Sequence, residues 1–225
     1  MTVDIAANLK KYRGVHSPEA RYASFDYCFN YFQAEREAGK TDRLADEVHL
    51  QMSCLQLGFY LASWGMLRGS SGLLWRSAAG LVPVVKQIAK EPASIWDLDA
   101  HSYADHADEV YDLGGRVREA FKDGGVRASD TLVAKTMLGV FGCVPAFDRY
   151  FQIGFGRATL SPKTLKKIGD FYKDNQTEIE DAQVFTLDFG TGLPTERRYS
   201  RAKIIDMVFF QEGITLVQEG RIRTR

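Results

Sequence analysis

The sequence predicts an all-α protein, a single compact multi-helix domain over residues 1–225 with a flexible basic tail at 219–225. Three observations predict it. Helix-start signals recur: Ser17-Pro18-Glu19, Thr41-Asp42, Ser129-Asp130 and Ser161-Pro162 each place a capping side chain ahead of a helix-compatible run. Apolar residues return at intervals of three and four. Extended signals are short, one strand pair being expected near 184–187 and 214–217.

Taken in order, Ser17-Pro18-Glu19 leads into Tyr22, Phe25, Phe29 and Phe32 at helical spacing, closed by Gly39. Tyr27 and Tyr31 widen that aromatic face, which is the pattern of a helix packed on a core. Thr41-Asp42 opens a helix toward Leu67, amphipathic first and then apolar nearly all round. Within it, 50–67 is the one stretch that resembles a membrane span. Gln51, Ser53, Gln56, Ser63 and two glycines interrupt it, and a span needs about 20 predominantly apolar residues, so the expectation is a buried central helix and no membrane. Residues 72–90 read as helix, kinked or split near Gly80 and Pro83. A helix over 103–121 is weakened by Gly114-Gly115 and followed by the turn Asp123-Gly124-Gly125. Ser161-Pro162 starts a helix with Leu165, Ile168 and Phe171 on one face. Gly190-Thr191-Gly192 lacks the lysine of a phosphate loop and reads as a turn. A final amphipathic helix runs from Ser200 to Gln211 and is stopped by Gly213.

Composition narrows the function classes. Lys plus Arg equals Asp plus Glu at 29 each, so no overall field steers nucleic acid or an anionic membrane, and such binding needs a local patch. Cys28, Cys54 and Cys143 lie far apart among apolar residues, which suits buried thiols and a cytoplasmic location. Residues 94–109 gather Asp97, Asp99, His101, Asp105 and His106, residue types that ligate metals. Their spacing matches no metal motif, and His101 and His106 fall on different helical faces. No metal and no cofactor is expected.

The densest chemistry lies in 130–156, DTLVAKTMLGVFGCVPAFDRYFQIGFG. A capped apolar helix carries Lys135. Such a lysine either snorkels to the surface or, held among apolar groups, has a lowered pKa and becomes a nucleophile. Val144-Pro145 forces an extended turn, and a second helix is expected over 146–153. Asp148 stands at or near its start. There it either caps the helix or pairs with Arg149, or it stabilises a developing cation and orients water.

The order Lys135-Thr136, apolar helix, Phe141-Gly142, Val144-Pro145, Asp148 and a second apolar helix resembles the second half of the helix-hairpin-helix DNA glycosylases. The resemblance implies a mostly helical fold acting on duplex DNA. It implies that Asp148 is the catalytic aspartate presented to the sugar of an extruded nucleotide. Lys135 matches the lysine that some members use as a nucleophile. Phe147, Arg149 and Tyr150 would then line or brace the substrate pocket. In this chain 129–134 stands where the family carries its hairpin glycines, and the lysine-to-aspartate interval is shorter. The alternative is a helical interaction or regulatory module without catalysis, pairing with a partner or with itself as a homo-oligomer.

Overall fold

Two largely apolar segments, 132–141 and 202–211, become completely buried stretches of helix although each carries at least one charged residue. The computed structural model describes residues 3–69, 71–156 and 158–221. In chain order its helices are α1 (Ile5–Arg13), α2 (Ala23–Glu37), α3 (Leu50–Ser63), α4 (Val82–Lys90), α5 (Ala93–Trp96), α6 (Tyr103–Asp123), α7 (Asp130–Phe141), α8 (Arg149–Phe155), α9 (Pro162–Asp174), α10 (Gln176–Asp181) and α11 (Arg201–Gln218). Strands β1 (Phe185–Leu187) and β2 (Pro194–Arg198) precede α11 and pair antiparallel. The fold is thus mostly α, around one contiguous apolar core. Among the described residues no helix is long and apolar enough to cross a membrane.

Every residue of α7 from Leu132 to Phe141 is buried, as is every residue of α11 from Ala202 to Gln211. The remaining helices pack around this pair: α2 and α3 cover α7, α8 and α1 lie on α11, and α6 bridges α7 and α9. Local chemistry sets the ends. Ser129 Oγ accepts from the Leu132 amide at 3.2 Å, Ser161 Oγ from Thr164 at 3.3 Å and Ser200 Oγ from Lys203 at 3.2 Å, each satisfying a first-turn donor. Gly142 ends α7 in the left-handed region at φ 69°, where a side chain would also press on Phe29 and Ser200.

Several boundaries differ from the sequence reading, each for a local reason. Residues 17–22 form turns, and α2 begins only at Ala23; Tyr27 reaches back with its hydroxyl to the Pro18 carbonyl at 2.8 Å and holds that turn. The segment Thr41–Ala45 is a short 3₁₀ turn, and α3 starts at Leu50, because Asp46 takes the Val48 and His49 amides onto its carboxylate. Pro83 lies in the first turn of α4, where proline belongs, and 3₁₀ turns at Gly72–Trp75 and Ala78–Leu81 precede it. The helix expected over 103–121 is present as α6; its one non-helical residue is His106 (φ −116°), not Gly114 or Gly115, and Gly114 gives Leu160 room to approach.

The strand partner of 185–187 is 194–198, not 214–217. Residues 214–217 belong to α11, which is buried on all sides over its first half rather than amphipathic. Gly213 does not stop this helix. It is a gap: a Cβ there would overlap the Tyr150 carbonyl oxygen, and one at Gly154 would overlap the Phe209 carbonyl oxygen. The two glycines let the backbones of α8 and α11 touch where they cross. Beyond α11, Arg221 pairs with Glu219 at 3.5 Å, while Arg223 and Arg225 of the expected basic tail lie outside the described residues.

Gly213→Ala should therefore force α8 off α11 at an overpacked contact and lower stability by about 1–3 kcal/mol. Urea unfolding followed by circular dichroism measures this. An unchanged midpoint would mean that the helices are not in backbone contact.

Candidate functional site

The turn after α7 is anchored from the far end of the chain. Val144-Pro145 leads α7 out extended, and Asp206 on α11 accepts the Ala146 amide at 2.9 Å. Asp206 is buried, and so is Lys203 one turn before it, whose Nζ lies 3.2 Å from the Asp206 carboxylate and 3.3 Å from the Tyr12 hydroxyl. Burial pushes the Asp206 pKa up, with Lys203 pulling the other way and Asp148 adding to the rise.

The next residue, Phe147, adopts φ 47°, a left-handed conformation that costs a non-glycine residue about 1–3 kcal/mol. Its carbonyl is held by the Thr131 hydroxyl at 3.2 Å and the Gln152 amide at 2.8 Å, and its ring is fully buried against Phe151. This bend sets Asp148 as the N-cap of α8, which therefore starts at Arg149 and not at 146. Asp148 Oδ1 accepts from the Tyr150 and Phe151 amides, both at 3.1 Å. Its other oxygen, Oδ2, lies 3.6 Å from Lys135 Nζ, an ion pair rather than a hydrogen bond.

Lys135 does not snorkel. Its side chain is 5% exposed against 16% for Asp148, so the carboxylate is the more accessible member of the pair. Lys135 Nζ donates to the Trp64 carbonyl at 2.9 Å. Burial lowers its pKa below the ordinary lysine value, against the upward pull of Asp148 and Asp206, while Lys203 adds to the lowering. The two residues singled out from sequence are thus brought together, in a shielded place that favours the neutral amine.

Trp64, at the C-terminus of α3, sits at the centre of the charges. Lys135, Lys203 and Arg21 lie 5.5, 5.3 and 5.4 Å from its ring. Its indole nitrogen is buried and makes no hydrogen bond among the described residues. Tyr22 and Phe210 meet the Trp64 ring edge-on, and Tyr150 meets Phe210 in the same way. Tyr22, Trp64 and Tyr150 are only partly buried, so they form the accessible rim of this ring cluster. Of the sequence-derived candidates, Tyr150 belongs to this rim, Arg149 is exposed at the first position of α8, and Phe147 is a buried brace. A groove of about 940 Å³ lies elsewhere, between α2, α3 and the β1–β2 turn, and includes neither Lys135 nor Asp148.

Reading the sequence does not single out Lys203, Asp206 or Trp64. A signal is there in retrospect: two charges three apart inside the run KIIDMVFF cannot both face water if the run is core. Asp26 and Asp99 are further buried carboxylates with structural work. Asp26 accepts the Leu187 amide at 3.0 Å and binds His16 and the Tyr199 hydroxyl, tying β1 to α2. Asp99 accepts the Arg201 and Ala202 amides, both at 2.8 Å, and seats the start of α11. The other members of the 94–109 run are dispersed: Asp97 pairs with Arg36 and His106 with Glu109. Among the described residues no three metal-ligating side chains converge.

In comparisons with known proteins, no family, no curated protein and no solved structure matches this chain.

Because the folded Lys135 pKa is lowered, the unfolded chain binds more protons between that value and the ordinary one, and stability rises with pH across the interval. Lys135→Met should abolish this rise. Urea unfolding of both proteins from about pH 7 to about pH 10 should show the wild type gaining on the variant; a constant difference would place the lysine at its ordinary value.

Proposed function

We propose that this protein is a base-excision enzyme of N-glycosylase type acting on duplex DNA, with Asp148 and Lys135 as its reacting pair. The observation that carries the reading is the 3.6 Å approach of a burial-lowered amine to a carboxylate fixed at a helix start. Perturbed amines paired with acids are what nucleophilic catalysis requires.

A base in a duplex must be extruded before its glycosidic bond can be reached. Asp148, the more accessible partner, meets the sugar first and supports its positive charge as the C1′–N bond lengthens. Lys135, in its deprotonated form, then bonds to C1′ through its amine nitrogen. The glycosidic electron pair leaves with the base, which takes up a proton from water, and the proton shed by the new C1′–N link passes to Asp148. The nitrogen lone pair then breaks the C1′–O4′ bond, O4′ takes up a proton, and the resulting C1′=N iminium is the species that borohydride reduces. Tyr150, half-buried two residues from Asp148, is an aromatic ring on which a flat base can stack. Arg149, next to Asp148 in sequence, and Arg21, over the Trp64 ring, are exposed cations of the kind a chain of zero net charge needs for a local patch. Cys28, Cys54 and Cys143 are buried thiols with pKa values raised by burial, Cys54 to about 11, which supports a reducing compartment such as the cytoplasm as the setting of this reading.

Borohydride reduction in the presence of duplexes carrying damaged bases or abasic sites should trap a covalent adduct, lost in Lys135→Met. Asp148→Asn keeps a good N-cap, so it should leave the fold intact and lower activity by at least about a hundredfold. Absence of any salt-dependent affinity for such duplexes at low ionic strength would overturn the proposal.

A further inference from the structure

Helix α3 contains no charged residue in its 14 positions, LQMSCLQLGFYLAS, and turns Met52, Leu55 and Phe59 to solvent. Val48, in the turn before it, falls on the same line. Steps of four, three and four residues stack these side chains into one stripe. Val48 is 82% and Phe59 70% exposed. Beside the stripe runs the 940 Å³ groove, floored by Ser24, Tyr27 and Tyr31 of α2 and walled on its far side by Phe189, which is also exposed and meets the Tyr27 ring edge-on at 4.9 Å. Large apolar side chains gathered in this way mark an interaction surface.

The chemistry of the stripe selects its occupant. Its spacing is that of a helix-pair seam. At a two-fold axis each group near the axis meets its own copy, so only an uncharged stripe avoids opposing like charges there. The groove rim carries both signs, Glu19 and Asp188 against Arg21, so two copies meet it without net repulsion. The chain as a whole has a formal net charge of zero, which leaves no long-range barrier to self-association. A membrane surface would instead call for cations beside the apolar residues, and α3 has none.

We infer that the stripe of Val48, Met52, Leu55 and Phe59 is the seam of a homodimer, in which Phe59 of each copy seats over the α2 groove of the other. The inference is independent of the reading of Lys135 and Asp148, because its test reads mass rather than action on DNA.

Sedimentation velocity of the full chain, from micromolar to sub-millimolar concentration, should show a monomer–dimer equilibrium. Leu55→Asp and Phe59→Asp should each raise the dissociation constant at least about tenfold. Trp75→Asp, at a site 81% exposed outside the groove, should leave it unchanged. Circular dichroism confirms the fold of each variant; should an aspartate variant lose helix, the paired Leu55→Ala and Phe59→Ala substitutions replace it and are read on the same scale. A wild type that stays monomeric throughout, or a dimer that survives the seam variants, overturns the inference.

Discussion

The bond from Ala146 to Asp206 is the constraint on which the site depends. A buried carboxylate is expensive unless its charge is matched and its lone pairs are used. Asp206 meets both conditions, through Lys203 beside it and the Ala146 amide in front of it. The match holds only while α11 stays buried in the apolar core, so packing energy from residues 202–211 is converted into the position of a turn 60 residues away in sequence. The backbone contact of α8 with α11 at Gly154 and Gly213 fixes the other side of the same turn.

Between these two anchors the chain bends through Phe147 in a conformation that an L-residue avoids. The strain is local and is held by two hydrogen bonds to one carbonyl and by a fully buried ring. Its effect is directional. Without the bend, α8 would begin earlier and Asp148 would lie within the helix, where its carboxylate could not take the first-turn amides and face Lys135 at once. Capping and ion pairing are therefore not alternatives at this residue: one oxygen serves each.

Much of the fold was legible because it follows from nearest-neighbour chemistry. Ser129, Ser161 and Ser200 cap helices where their sequence places them, and the apolar stretches of α7 and α9 are buried as their periodicity requires. What was not legible depends on approach between distant segments. Gly213 has the look of a helix stop, yet it lies inside α11 because α8 needs the space. The partner of β1 was misplaced for the same reason, since 214–217 is apolar enough for strand or helix and only tertiary packing decides. At the site, Lys135 and Asp148 could be named from their own turn, but Lys203, Asp206 and Trp64 reach it from α11 and α3, elements whose local pattern says only that they are buried.

The order in which the ribosome delivers these parts has its own consequence. Lys135 and Asp148 leave the exit tunnel well before Lys203 and Asp206. Until α11 has emerged and docked, the nascent turn has nothing to grip Ala146, and Lys203 is not yet beside the lysine helix. Anchoring of the turn is in this way deferred to a late stage of translation, and a chain interrupted before residue 206 lacks the carboxylate that holds Ala146.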